Sequence, residues 1–193
     1  MTFTEVLVRE FAPYAALSPL QIAQLEAHYN LLVRWNAKLN LTRIESPEMA
    51  ARLHYCESLY LGLALPPGAL KIADIGTGAG FPGIPISILR PECHVTLVES
   101  HQRKAVFLRE ATRELPNVTV IAGRAQDLSG PFDWVVSRAV TPGEVLALPI
   151  STHFAVLVGP EDSQKLGGFP LPWGEGRNLA SVPRGTISPC IRL

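Results

Sequence analysis

The first third of the chain carries apolar residues at helical spacing. One such stripe consists of Phe3, Val6, Leu7 and Phe11. Ser18 followed by Pro19 and Gln21 has the form of a capping box, which predicts the start of a second helix. Ser46 and Pro47 repeat that start signal, and the proline-rich segment 66–68 ends the pattern. We therefore predict a small helical N-terminal subdomain over residues 1–66.

From residue 67 onward, short apolar runs alternate with helical patterns. The predicted strands are 71–75, 94–98, 118–121, 133–137 and 154–158, and the predicted helices lie near 82–90, 101–115 and 142–148. This alternation predicts an α/β domain with a parallel, doubly wound, Rossmann-like sheet over residues 67–193. Beyond Gly159 the chain is rich in glycine and proline, so we predict only a closing strand near 179–182 in a poorly defined tail.

Composition limits the possible partners. The chain has 193 residues, 47% hydrophobic and 18% charged, which is typical of a folded domain with one sizeable core. Its formal net charge is zero, so a nucleic-acid partner would have to meet local basic groups. The candidates are Arg34, Lys38, Arg43, Arg52, Arg103, Lys104, Arg109 and Arg113, although a solvated helix face is the simpler interpretation for most of them.

Cysteine, histidine and leader patterns point to a cytoplasmic protein. The three cysteines and the histidines lack ligand or disulfide spacing, so we expect no metal and no disulfide. The N-terminus lacks the basic and apolar regions of a secretory signal. The longest apolar stretch, 145–158, is interrupted by Pro149 and His153, so we expect no membrane span.

A glycine-rich turn directly follows the first predicted strand. Gly76, Gly78 and Gly80 alternate there, and glycine lets backbone N–H groups approach a ligand closely. Asp74 precedes the first glycine, and Glu99 ends the next apolar run. This arrangement predicts a nucleoside-containing cofactor at the edge of a parallel sheet.

Two cofactors fit this turn. Gly78, Gly80 and Gly83 satisfy the dinucleotide pattern, which would make the protein a nicotinamide-dependent oxidoreductase. However, the predicted strand ends at Ile75, so Gly78 comes late for a pyrophosphate site, and S-adenosylmethionine is favoured. Glu99 would hold ribose hydroxyls in either case and does not discriminate between them.

Two segments further along the chain would complete a cofactor site. The polar segment 123–127 follows the third strand, where it would meet the adenine edge. Arg138 ends the fourth strand, and its guanidinium would bind a carboxylate or a phosphate. A surface ion pair is the alternative interpretation for Arg138.

Several motifs resemble those of one family. The segment 74–85, Asp-Ile-Gly-Thr-Gly-Ala-Gly-Phe-Pro-Gly-Ile-Pro, resembles the first motif of the RsmG family, also called glucose-inhibited division protein B. The segment 35–42 is similar to that family's Trp-Asn-x-x-x-Asn-Leu-Thr, and 54–59 resembles its His-x-x-Asp-Ser-Leu with Glu57 replacing aspartate. The chain departs from the family at Val158, where a lysine is common, and in the tail.

The resemblance implies a bacterial methyltransferase that transfers a methyl group from S-adenosylmethionine to guanine N7 in 16S ribosomal RNA. It implies cofactor contacts for Gly76, Phe81, Ala125, Gln126 and Arg138, and the turn itself adds Asp74, Thr77, Gly78, Gly80 and Glu99. It also places Asn40 and His54 beside the cleft. The expected partner is 16S RNA or the small-subunit particle, with no DNA, and the expected state is a monomer.

Methylation of guanine N7 does not require a catalytic base among the candidate residues. Guanine N7 has a free lone pair and needs no general base, so catalysis would rest on proximity and alignment. His54 is equally explained as a satisfied, half-buried residue, and Asn40 as a cap of the following turn. A non-catalytic RNA- or ribosome-binding module of the same fold and a small-molecule methyltransferase stay open as alternatives.

Overall fold

The computed structural model describes residues 1–43 and 46–190. Residues 44–45 of the predicted helical subdomain and 191–193 of the predicted α/β domain lie outside the described residues. The helices are α1 Phe3–Phe11, α2 Pro19–Leu39, α3 Pro47–Ala50, α4 Glu57–Ala64, α5 Gly83–Leu89, α6 Gln102–Ala111, α7 Pro142–Leu146 and α8 Pro160–Leu166. The strands are β1 Lys71–Ile75, β2 His94–Glu99, β3 Val118–Ala122, β4 Trp134–Arg138, β5 Phe154–Val158, β6 Phe169–Pro170 and β7 Asn178–Val182.

The strands form one sheet of the predicted class. Its order is β3-β2-β1-β4-β5-β7-β6, with β1 to β5 parallel and β7 antiparallel to both β5 and β6. Because β1 lies between β2 and β4, the chain reverses its direction of winding there. The carboxyl ends of β1 and β4 therefore meet at a topological switch point, where sheets of this kind bind ligands.

The helix starts follow the predicted caps. Ser18 Oγ accepts a hydrogen bond from the Gln21 backbone N–H, and the Ser18 backbone N–H donates to Gln21 Oε1, which is the reciprocal capping box. Ser46 Oγ accepts from the Met49 N–H at the start of α3. α1 packs on α2, where Phe3 stacks on Tyr29 with ring centres 4.2 Å apart.

Two elements differ from the sequence-based expectation. The segment Ala51–Cys56, between α3 and α4, is a π-helix. The predicted helix 101–115 ends at Ala111, because Thr112 leaves helical geometry and its hydroxyl bonds the Leu108 carbonyl. Hydrophobic periodicity does not distinguish a π-turn from an α-turn over six residues, so neither difference had a clear signal.

The tail beyond Gly159 is better ordered than its composition indicates. The closing strand is present as β7, and α8 precedes it. Trp173 packs edge-on against Tyr14 and Tyr60, while the Cys190 backbone N–H bonds the Tyr60 hydroxyl at 2.9 Å. The tail thereby packs on the N-terminal helices, and one hydrophobic cluster runs from α1 through the sheet to the tail.

Leu171→Ala tests whether the tail belongs to this core. Leu171 is 5% exposed, whereas Leu20 in α2 is 68% exposed. Leu171→Ala should lower the free energy of unfolding by about 2–4 kcal/mol through lost burial and an unfilled cavity. Leu20→Ala is the matched control and should change it by less than about 0.5 kcal/mol. Equal effects in urea unfolding would contradict a packed tail.

Candidate active site

The glycine turn after β1 winds around the carboxyl group of Asp74. The Gly83 N–H donates to Asp74 Oδ2 at 2.7 Å, and a Cβ at Gly83 would lie 2.6 Å from that oxygen. At the other end of the turn, Gly76 has φ of 68°, and a Cβ there would meet the Val140 side chain at 2.5 Å. Only glycine fits these two positions without displacing the turn.

Asp74 is a buried carboxyl group with uneven hydrogen bonding. Its Oδ2 accepts from Thr77 Oγ1 at 2.5 Å as well as from Gly83, so Thr77 points inward. Oδ1 is buried and has no hydrogen-bond partner within residues 1–43 and 46–190. Desolvation outweighs the two hydrogen bonds and raises the pKa of Asp74 to about 7.

Glu99, at the end of β2, holds the same turn from the neighbouring strand. Its Oε2 accepts from the Gly78 N–H at 3.0 Å, and its Oε1 accepts from the His101 N–H at 2.8 Å. Each carboxylate oxygen keeps a further lone pair for another donor. Asp74 and Glu99, which end neighbouring strands, therefore both bond the glycine turn.

A cleft of about 220 Å³ opens at the carboxyl edge of the sheet beside this turn. Three of the predicted cofactor residues line it, namely Gly76, Ala125 and Gln126. Sequence reasoning missed a further set from the loop after β4 and from α7, which consists of Val140, Glu144, Val145 and Leu148. Pro142 as a helix start after β4 was the available signal for that wall.

These residues fit S-adenosylmethionine. Val98 and Val140 supply apolar walls from the two sides of the switch point, and a nucleoside base suits such walls. The free lone pairs of Glu99 suit ribose hydroxyls. The turn offers backbone groups and the orphan Oδ1 atom of Asp74 to polar or cationic groups, a donor set that fits an amino acid better than a pyrophosphate.

The π-helical segment packs directly against the turn. The His54 ring stacks on Phe81 with centres 5.2 Å apart and planes at 30°. Its Nδ1 accepts a short hydrogen bond from Arg138 Nη2, and the ring also bonds the Arg43 backbone. Desolvation, reinforced by the charge of Arg138, lowers the pKa of His54 to about 3, so the ring is neutral at pH 7.

Arg138 points toward the helical part rather than into the cleft. Its Nη1 donates to the Leu53 carbonyl at 2.8 Å and lies 3.8 Å from Glu57 Oε2. Its guanidinium also lies 5.8 Å from the centre of the Phe81 ring. Desolvation lowers the pKa of Arg138 to about 10, which leaves it cationic. The predicted contact of Arg138 with the cofactor stays a prediction.

A second arginine comes from the tail. Arg177 donates from Nε and Nη2 to the two carboxylate oxygens of Glu57, a bidentate pair. The Glu57 side chain is fully buried, so one carboxylate serves two guanidinium groups. Sequence reasoning missed Arg177, and a buried glutamate in α4 was the only signal for it.

Asn40 ends α2 in the left-handed conformation. Its φ is 47° and ψ is 50°, and its backbone N–H bonds the Asn36 carbonyl. Asparagine is one of the few residues that adopt this conformation readily, which explains the residue type without a catalytic role. The side chain is exposed, and its predicted place beside the cleft stays a prediction.

Across residues 1–43 and 46–190, no three His, Cys, Asp or Glu side chains lie together as a metal site. None of the helices within those same residues is long and apolar enough to cross a membrane.

Comparisons with known proteins agree with this geometry. A crystal structure of an S-adenosylmethionine-dependent methyltransferase from Aquifex aeolicus has the same fold, with a TM-score of 0.55, 16% identity and coverage of 74% of this chain and 97% of that one. Ribosomal RNA small subunit methyltransferase G of Desulforamulus reducens is 41% identical, with coverage of 91% and 87%. That of Lactococcus lactis is 33% identical, with coverage of 90% and 87%.

The fold and the relatives define an enzyme of the S-adenosylmethionine-dependent methyltransferase class. A sequence model of the family described as rRNA small subunit methyltransferase G matches residues 21–154. The chain belongs to this family. The resemblance inferred from its motifs and the expected cofactor are thereby confirmed.

Asp74→Asn tests the buried carboxyl group. Asp74 has a pKa raised from 3.8 to about 7 on folding, so the folded state binds its proton more tightly. Its contribution to stability is therefore present below about pH 4 and is lost as the pH rises toward 7. Asp74→Asn removes this titration. The free energy of unfolding of the variant, minus that of the wild type, should therefore rise by on the order of 3 kcal/mol from about pH 4 to pH 8.

Urea unfolding of the cofactor-free protein at both pH values measures this difference. Asp127 is exposed, so Asp127→Asn is the control and should keep the pH dependence of the wild type. Parallel pH profiles for wild type and Asp74→Asn would contradict the raised pKa.

Glu57→Gln tests the shared carboxylate. Removing its charge leaves two partly buried guanidinium groups without their counter-ion, which should lower the free energy of unfolding by about 3 kcal/mol or more. Glu48 pairs with Arg52 at the surface with its side chain 48% exposed, so Glu48→Gln should cost less than about 1 kcal/mol. A loss at Glu57 no larger than at Glu48, measured by urea unfolding, would show that the cluster is not an effective ion pair.

Proposed function

We propose that this protein transfers a methyl group from S-adenosylmethionine to N7 of a guanine in 16S ribosomal RNA. The observation that carries the proposal is the cofactor-type cleft at the switch point, beside a turn against which the neutral His54 ring and the cationic Arg138 pack. Family membership over residues 21–154 supports an RNA substrate from the small ribosomal subunit.

In this proposal the cofactor lies along the carboxyl edge of the sheet. Ala125 and Gln126 line the base-binding end, and Glu99 binds the ribose. The turn containing Gly76, Thr77, Gly78, Gly80 and Phe81, closed around Asp74, holds the amino-acid end. S-adenosylmethionine supplies an electrophilic methyl group on a sulfonium centre.

The residues around the cleft position the reactants and do not move protons. His54 is unsuited as a general base, because its pKa is about 3 and Arg138 occupies its Nδ1 lone pair. Guanine N7 has its own lone pair, so no base is needed. Phe81 and His54 form a stacked pair that excludes water from one side of the site. Glu57 and Arg177 hold Arg138 at the end of β4.

RNA binding would come from the exposed side chains around this edge. Asn40 at the end of α2 and the nearby Lys38 and Arg43 are exposed. With a net charge of zero, contacts to phosphates will be few, so we propose that a folded small-subunit particle is the substrate rather than DNA or a short oligonucleotide. We further propose that the protein acts as a cytoplasmic monomer.

Methyl transfer from labelled cofactor to small ribosomal subunits tests this function. The label should enter 16S RNA at one guanine, located by N7-specific strand cleavage and primer extension. Arg138→Met should lower the rate by about 100-fold, since the hydrogen bonds that fix Leu53 and His54 against the turn are lost and the reactants are no longer aligned. Lys165 is 72% exposed on α8 and is not among the candidate RNA contacts, so Lys165→Met should retain the wild-type rate.

Three results would contradict the proposal. Label at another atom or in another RNA would exclude guanine N7 of 16S RNA. No transfer despite tight binding to the particle would indicate a non-catalytic module. Calorimetric binding of NAD but not of S-adenosylhomocysteine would exclude the cofactor.

A further inference from the structure

A buried histidine from the helical part bonds the turn that follows β1. His28 lies on α2 and is 3% exposed. Its Nε2 is 3.1 Å from the Ala79 carbonyl oxygen, and its Nδ1 is 2.8 Å from the Tyr55 hydroxyl. Ala79 lies between Gly78 and Gly80, in the middle of the turn.

The partners of the two ring nitrogens define the state of His28. A carbonyl oxygen only accepts, so Nε2 carries the hydrogen and donates to Ala79. Nδ1 then has a lone pair, and the Tyr55 hydroxyl donates to it. Burial lowers the pKa of His28 to about 4, so the ring stays neutral around pH 7. The Ala79 carbonyl thereby selects the tautomer, and the Tyr55 hydroxyl, which can donate as well as accept, satisfies Nδ1.

This bond comes from a different side of the molecule than the other side-chain bonds of the turn. Asp74 and Glu99 hold it from the ends of β1 and β2. His28 holds it from α2. The imidazole also packs against the turn, since the Phe81 ring centre is 5.4 Å away and a Cβ on Gly80 would lie 3.4 Å from Nε2.

The same contact joins the turn to the π-helical segment. Tyr55 follows His54 in the π-helix, and the rings of both pack on Phe81 with centres 5.0 Å and 5.2 Å away. A displacement of the π-helix therefore acts on the turn along two routes, through the Phe81 ring and through Tyr55 and His28.

We propose that His28 is a positioning residue for the cofactor turn: its Nε2–H bond to the Ala79 carbonyl, with the ring oriented by the Tyr55 hydroxyl, holds the turn in the conformation that binds S-adenosylmethionine. This inference rests on the cofactor site proposed above. His28 does not touch the reacting atoms, so its effect appears in cofactor affinity and not in the chemical step.

Three substitutions at position 28 separate the hydrogen bond from the packing. In His28→Gln the amide nitrogen reaches the position of Nε2 and can donate to Ala79. In His28→Asn it reaches only the position of Nδ1, and His28→Leu has no donor. We expect His28→Gln to bind S-adenosylhomocysteine within about threefold of wild type, and His28→Asn and His28→Leu to bind about tenfold more weakly.

Calorimetry gives the dissociation constants, and a thermal melt without ligand gives the stability of each variant. With saturating cofactor and small ribosomal subunits, kcat should stay within about threefold of wild type, while the KM for cofactor rises. His94 is exposed on β2, so His94→Gln is the matched control and should match the wild type in every assay.

The proposal is overturned if His28→Leu lowers the melting temperature but binds S-adenosylhomocysteine as wild type does, which is the result of a packing role alone. It is also overturned if His28→Gln binds as weakly as His28→Leu while remaining folded. Failure of the wild type to bind S-adenosylhomocysteine would instead refute the proposed cofactor site.

Nitrogen-15 NMR of histidine-labelled protein provides an independent readout. His28 should show the neutral Nε2–H tautomer without titrating between about pH 5.5 and pH 8. Tyr55→Phe leaves His28 Nδ1 without a donor and should weaken cofactor binding, because the ring loses the contact that orients it. A His28 that is Nδ1–H in the wild type, or that titrates near its ordinary pKa of 6.5, would overturn the assignment.

Discussion

The buried carboxyl group of Asp74, which is removed from solvent, constrains this edge of the sheet. Asp74 ends its strand facing inward, so its Oδ2 must find donors inside the protein, and the only way to supply them is to fold the chain back over it. Thr77 and Gly83 do so, and the intervening residues become a tight turn whose backbone faces the cleft. Three further groups are organised around that turn: Glu99 and His28 bond it, and Phe81 projects from it against the π-helix.

The site is assembled from segments that are distant in the chain. Glu57 lies in the helical part, Arg138 at the end of β4 and Arg177 in the tail, yet a single buried carboxylate brings them together. Such a cluster adds little net stability, because desolvation opposes the attraction of the charges, but it tolerates few alternative arrangements. The cluster therefore fixes the positions of the three segments relative to one another. The hydrophobic cluster shared by helices, sheet and tail supplies the cohesion.

Local sequence patterns predicted the fold and the glycine turn of the candidate site. Strand and helix alternation, the cap at Ser18 and the glycines after β1 are short-range signals, and the structure has each of them. His28 and Arg177 were missed because their partners, Ala79 and Glu57, lie 51 and 120 residues away in the chain. Nothing in the spacing of a single sequence encodes which buried polar groups will meet. The tail was undervalued for a related reason, since glycine and proline content indicates turns but not what those turns pack against.

The π-helix between α3 and α4 has a consequence for the spacing of the chain. A π-turn accommodates one more residue than an α-turn over the same rise, so Ala51–Cys56 contains surplus length. Deleting one residue there would allow a regular α-helix, which is locally more stable. Because the extra residue is absorbed within one wider turn, its deletion would leave α3 and α4 in nearly the same rotational phase. In the wider turn, consecutive side chains point in directions less than the 100° apart that an α-helix imposes. This lets the neighbouring rings of His54 and Tyr55 both pack on Phe81, and a deletion would separate those two contacts while the flanking helices stayed in place.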